Sequence, residues 1–246
     1  MPELTAQDVA RTTPEELARL MAGPPQALAP WMRAAAKAGL LEAQAIYGQM
    51  LLDGTGVALD QVEALQWFKR AAQADHLMSI NMVGRCYENG WGTPADSVVA
   101  AYWFRIAAER GLDWGLYNYA HQFAAGRGGV QKDLARAYAL YRQAADMGHI
   151  KSIGVVGRFH EDGEIVAQDV DQAFECYQRA AEGGDFRGMF HYARLLHVRG
   201  HTQEAFEWFA RVPATATPAF MREARKMLLE TGDPDLALVY PESPNA

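Results

Sequence analysis

The sequence predicts an all-α protein, a tandem array of antiparallel helix pairs forming an α/α solenoid with a period of about 36 residues. Three columns of small residues predict it. Ala-Ala pairs begin at Ala35, Ala71, Ala107, Ala144 and Ala180, so successive pairs lie 36, 36, 37 and 36 residues apart. A second column of alanines, Ala64, Ala100, Ala137, Ala173 and Ala205, stands three residues before Trp67, Trp103, Leu140, Cys176 and Trp208, the last two columns running in the same register. In the third, Gly48, Gly84, Ala120, Gly157 and Ala193 share one phase. Small residues at fixed phase mark places where two helices approach closely, because a larger side chain would hold the axes apart.

The elements follow in chain order. Residues 1–40 read as a degenerate helix pair that caps the array: Thr13-Pro14 opens a helix and Gly23-Pro24-Pro25 breaks it. Residues 41–212 carry the tandem repeats. In each, a first helix runs through AQAIYGQMLLDG, SINMVGRCYENG, GLYNYAHQFAAG or SIGVVGRFHEDG, with apolar residues at helical spacing and a Gly placed to end it. A second helix begins near Asp60, Asp96, Asp133 or Asp169, each suited to cap an N-terminus, and continues through the aromatic and Ala-Ala positions. Neither helix can bury its apolar stripe alone, so stacked neighbours supply the core. Residues 213–246 close the array with capping helices and a tail, PESPNA, expected to fray. About six helix pairs result.

These residues resemble the Sel-one-like repeat family, a relative of the tetratricopeptide repeats. The stretch AQAIYGQMLLDGTGVALDQVEALQWFKRAAQAD, residues 43 to 75, follows the family's pattern closely, including Gly54, Gly56 and Val57 in its loop. The resemblance covers about residues 31 to 210 and departs at both ends, where RVPATATPAF replaces the Ala-Ala and Gly of the last repeat. It implies a right-handed superhelix and an adaptor that binds other proteins or peptides. It names no partner.

Composition and motifs narrow the function class. The formal charge of −7 argues against a whole-surface affinity for nucleic acid or anionic membrane. The N-terminus lacks a basic segment followed by an apolar one, and nowhere do about 18 apolar residues run together, so a cytoplasmic protein is expected. Cys86 and Cys176 make neither a disulfide framework nor a metal pair and read as small buried residues. Some secreted members of the family have been linked to β-lactam binding, but Ser79, Ser97 and Ser152 are followed three residues on by Met82, Ala100 and Val155, not Lys. Glycine runs such as GTG and GRGG join two helices with no preceding strand and read as turns. No enzyme activity and no cofactor are expected.

Two candidate sites remain. His197 and His201 are four apart, with His191 on the same helix, a spacing that can bring imidazoles to one metal for metal-assisted hydrolysis. Gly200 interrupts that helix and no nearby carboxylate completes the set, which favours ordinary surface histidines. The sharper signal is on the first helices. With ~100° between residues, positions 43, 47, 50 and 51 centre on the core side, and 42, 45, 49 and 52 point away. Position 49 becomes Arg85, His121, Arg158 and Arg194 in the later repeats; position 42 becomes Met78, Trp114, Lys151 and Arg187; position 45 becomes Asn81, Tyr117, Gly154 and Phe190. An acidic chain thus presents a basic and aromatic strip on the layer that lines the groove of tetratricopeptide-like arrays. The expected function is a protein-interaction scaffold that holds an acidic protein or peptide through Arg85, Trp114, Tyr117, His121, Arg158, Phe190 and Arg194. The blander reading pairs these arginines with Glu88, Glu161 and neighbouring acids. A second functional reading is an inhibitor or immunity-type protein that occludes a toxic enzyme.

Overall fold

A computed structural model describes residues 4–240 of the chain. Every regular element among them is helical, and the helices gather into two compact units, one reaching Ala137 and the other starting at Tyr138. The first unit opens with α1 (Ala6–Arg11), α2 (Pro14–Ala22) and α3 (Pro25–Lys37), followed by α4 (Leu41–Asp53), α5 (Gln61–Gln73), α6 (Leu77–Asn89), α7 (Ser97–Glu109) and α8 (Asp113–Ala125). Then α9 (Leu134–Asp146) crosses into the second unit, which continues with α10 (Ile150–Asp162), α11 (Val170–Glu182), α12 (Phe186–Val198), α13 (Thr202–Arg211), a single 3-10 turn at Val212–Ala214, α14 (Pro218–Glu230) and α15 (Pro234–Ala237). The expected C-terminal tail, residues 241–246, lies outside the described residues.

From α3 to α8 in the first unit and from α10 to α13 in the second, each helix packs against its chain neighbour, as short loops between antiparallel helices require. The local chemistry matches the sequence. Thr13 caps α2 by accepting from the Glu16 N–H, and the Glu16 carboxylate returns a bond to the Thr13 N–H at 2.8 Å. Asp60, Asp96, Asp133 and Asp169 each accept a backbone N–H of the first turn of α5, α7, α9 and α11 at 2.8–2.9 Å. The backbone N–H of each of these four aspartates also donates to a carbonyl near the end of the preceding helix, on Leu51, Tyr87, Phe123 and His160, which fixes the loop between the pair. That loop leaves the helix through a left-handed Gly, at Gly54, Gly90, Gly126 and Gly163.

The small-residue columns are the seams of the core. A Cβ built on Gly84 would fall 2.6 Å from the Phe104 ring, and one on Gly48 2.9 Å from Phe68. In the second unit the corresponding glycine, Gly157, faces Cys176 and Tyr177. The Ala-Ala pairs are buried at every repeat. One junction breaks the pattern: Gly39, Gly111, Gly148 and Gly184 take the left-handed turn after the second helix, whereas the first full repeat holds Asp75 there, at φ 65°.

Caps of three first helices were not legible in the sequence. His76 and His149 accept the N–H of Ser79 and Ser152 through Nδ1, and Asp185 accepts that of Gly188. An imidazole is an unusual cap, and only the fold shows which ring nitrogen faces the helix.

Candidate functional site

The strip on the first helices is best described unit by unit. In the first unit α8 carries three rings along one side. Trp114 meets Tyr117 edge to face with centroids 6.1 Å apart, and Tyr117 meets His121 at 4.5 Å. The three and four residue spacing puts them on one stripe, and each is half-buried. Arg85, on the neighbouring first helix α6, is also half-buried and lies over the Trp91 ring at 5.1 Å. Two polar bridges tie α8 to α6: Asn118 donates to Asn81 at 2.8 Å, and Gln122 to Glu88 at 3.1 Å. Arg85, on the helix packed beside α8 and in the same repeat column as His121, has no carboxylate partner among the described residues.

The second unit differs. Arg158 on α10 is exposed and has no ion pair among the described residues, while Arg187 on α12 stacks over Phe186 at 4.5 Å. Arg194, expected as a grip on the partner, is instead bound to Glu161 of α10, whose other oxygen accepts the Tyr177 hydroxyl at 2.8 Å. Burial pushes the Glu161 carboxyl up, but the Arg194 bond and charge together with Tyr177 outweigh it and hold it below the usual carboxylate range. The charge of Arg194 is used inside the molecule, as the blander reading had it.

Phe190 has no exposed surface at all. It packs edge to face against Phe209 and Phe220, so it belongs to the core and offers nothing to a partner. Leu52, placed on the outer side by the helical wheel, is buried as well, and so are Asn81 and Gly154 of the position 45 column. The reason is packing from more than one side: Phe190 is covered by Phe209 of α13 and Phe220 of α14, and α6 meets both α7 and α8, so the open arc of such a helix is narrower than half a turn. Of positions 42, 45, 49 and 52, only 42 and 49 stay accessible throughout.

The histidines do not assemble. His191 stacks on the Tyr177 ring at 4.9 Å, and burial first of all, then the Arg194 charge, lowers its pKa to about 4. His197 bonds Asp233 at 2.8 Å, a carboxylate 36 residues further on that the sequence reading did not connect to it. His201 is exposed just before α13. Among the described residues no three His, Cys, Asp or Glu side chains are gathered to hold a metal ion.

A different polar constellation has the elements of an activated nucleophile. Ser79 Oγ lies 2.8 Å from His76 Nδ1, and His76 Nε2 lies 3.4 Å from Glu42. Ser79 is fully buried, however, and Ser152, 2.9 Å from His149, is equally so. A nucleophile must reach a substrate carbonyl, and these hydroxyls sit under the helix caps they help to build. Burial raises the Cys86 thiol to about 11 and also raises that of Cys176, so neither is a ready thiolate. Among the described residues no helix is long and apolar enough to cross a membrane.

Comparison with known proteins agrees with this architecture. The fold is similar to that of a Sel1 repeat protein from Oxalobacter formigenes, with a TM-score of 0.71 at 22% identity over 85% of this chain and 91% of that one. It is also similar to a protective antigen of uropathogenic Escherichia coli strains displaying an SLR fold, with a TM-score of 0.68 at 25% identity; the match takes in 96% of this chain and 52% of the antigen, so the chain spans about half of its length. An immunity protein from Pseudomonas aeruginosa shares the fold at a TM-score of 0.53 and 18% identity, over 100% of this chain and 91% of that one. A search of curated proteins found no match. The Sel1 repeat pattern matches residues 41–76, 77–112, 115–149 and 155–185, more than half of the sequence and the same windows as the helix pairs, and the chain therefore belongs to the Sel1 repeat family.

Proposed function

We propose that the chain is a non-enzymatic interaction scaffold whose first helices bind a protein or peptide partner of acidic character. The family supports the coarse reading, since Sel1 repeats present helix surfaces to other proteins. The finer reading rests on one observation: α8 carries the Trp114, Tyr117 and His121 ladder and the adjoining first helix α6 carries Arg85, both accessible in an otherwise acidic chain. Rigid rings bind at low entropic cost, and a guanidinium with no internal carboxylate can donate two hydrogen bonds to an incoming one. Arg158 extends the same preference in the second unit. Phe190 and Arg194 drop out of the proposed contact set, being used in the core and in the Glu161 pair.

The test is a quantitative pull-down from native lysate with three proteins shown by circular dichroism to be folded: the wild type, Arg85→Glu/Arg158→Glu, and Trp114→Ala/Tyr117→Ala. A partner recovered by the wild type should be lost by both variants, and its recovery should fall as salt is raised. Equal recovery by all three would move binding to another surface. The immunity-type reading shares only its fold with the Pseudomonas protein, and an adjacent gene for a toxin-like enzyme is the finding that would favour it.

A further inference from the structure

Two repeats fill the space between first and second helix in the same way. In one, Trp67 meets Tyr47 edge to face at 5.8 Å, and the Arg70 guanidinium covers the indole at 4.5 Å. In the other, Trp208 meets Tyr192 at 5.6 Å, and Arg211 covers it at 4.3 Å. Aligned by the alanine column, the repeat between α10 and α11 keeps the arginine, as Arg179, but holds Val156 and Cys176 where the others have their rings. Both large side chains are missing together, and a cavity of about 270 Å³ borders Val156, Cys176 and Arg179. That is near the lower end of the ~300–1,000 Å³ range of small-molecule sites.

Ala145 and Ile153 add apolar surface, and the remaining lining residues carry polar groups. Arg142 of α9 stands at the rim, and neither it nor Arg179 has an ion pair among the described residues, while Asp146 supplies the one carboxylate of the lining. His160 of α10 occupies a column held elsewhere by Leu51, Tyr87, Phe123 and Leu196. Its Nε2 lies 3.4 Å from the Tyr138 hydroxyl, and its buried Nδ1 has no partner. The tautomer that accepts from Tyr138 through Nε2 carries a proton on Nδ1, which is buried without a partner beside the cavity. Gln172, in the column of Glu63, reaches only the Cys176 sulfur, at 3.9 Å.

We infer that this cavity binds a small aromatic acid, whose ring lies beneath Arg179 where Trp67 and Trp208 lie beneath their own arginines, and whose acid group is held by the exposed Arg142 of the lining. The ring restores the packing that the Val156 and Cys176 pair leaves out, with a cation over its face. The acid group offsets two guanidinium charges against a single carboxylate. Neither a plain anion nor a plain hydrocarbon satisfies both halves of the lining. The inference is independent of the partner-binding strip, none of whose residues lines the cavity.

The experiment is calorimetric titration of the full chain with indole-3-acetate, indole and acetate. Indole-3-acetate should bind at one saturable site, indole about tenfold more weakly for want of the charged contacts, and acetate not measurably. Arg142→Gln and Arg179→Gln, both at exposed positions, should each weaken indole-3-acetate binding about tenfold. Cys176→Trp should abolish it by rebuilding the indole under Arg179, with a melting temperature no lower than that of the wild type. No saturable binding of indole-3-acetate would overturn the inference, as would binding that both arginine variants leave unchanged. Should Cys176→Trp fail to fold, the arginine variants decide the matter alone.

Discussion

The Glu161 carboxylate joins three other side chains of the second unit into one polar cluster. It takes the Arg194 guanidinium on one oxygen and the Tyr177 hydroxyl on the other, and Tyr177 stacks on His191. With about a fifth of each side chain of the Glu161 and Arg194 pair exposed, breaking it leaves a half-buried cation without its acceptor. Glu161→Gln should destabilise the protein by about 1–3 kcal/mol in denaturant unfolding at neutral pH. Because the folded carboxyl titrates below its unfolded value of about 4.3, its contribution is complete above that value and is lost as pH falls through the folded pKa. The gap between wild type and Glu161→Gln should therefore close in acid, and a constant gap down to the acid transition would show that the charge is not what holds the cluster. The cluster also explains why Arg194 differs from Arg158 in the same repeat column: among the described residues only Arg194 forms an ion pair with a carboxylate.

At the scale of the helix pair, two joints decide how closely the elements dock. Within a pair, Gly84 lets α6 lie against Phe104 of α7, and Gly84→Ala forces its methyl group into that ring. Overpacking of this kind costs about 1–3 kcal/mol. Between pairs, the left-handed turn that glycine makes at positions 39, 111, 148 and 184 is made by Asp75 in the first full repeat. A Cβ in that conformation is strained, and the Asp75 carboxylate has in return only an ion pair with Arg110 that is open to solvent. Asp75→Gly should stabilise the protein by about 1 kcal/mol. Thermal unfolding of the two variants should shift in opposite directions from the wild type, and a downward shift for both would mean that the Arg110 pair outweighs the backbone strain.

For the whole molecule, the array must close at its end. Beyond the last repeat, Tyr240 donates its hydroxyl to the Phe209 carbonyl at 3.0 Å and lies edge to face on the Phe209 ring, while Leu228 and Leu236 complete the same core cluster. Removing residues 218–246 would uncover Phe190, Phe209 and Val212, which are all fully buried. An exposed terminal core invites self-association, because repeat arrays need a polar outer face at their ends. The truncated chain should bind a hydrophobic dye and elute as oligomers in size-exclusion chromatography; a monomer without dye binding would show that α14 and α15 are dispensable for closure.

The repeat period, the helix boundaries and the seams were legible in the sequence by itself, because each depends on local chemistry repeated in register. An aspartate at the N-terminus of α5, α7, α9 and α11, a glycine at the C-terminus of α4, α6, α8 and α10 and the Ala-Ala pairs of the seams state their roles without reference to distant residues. The surface strip was legible only in part. A helical wheel separates two sides, but it cannot count the neighbours that close over the flanks, which is why Phe190 and Leu52 were placed outside and lie inside. Pairings across tens of residues, Arg194 with Glu161, His197 with Asp233 and Tyr240 with Phe209, depend on which turns of different helices stack at the same height. So does the cavity beside Cys176, since a missing ring in a repeat column becomes empty space only when the surrounding helices hold their positions. The tertiary structure alone decided these, because they arise from packing between elements and not from the propensity of any one.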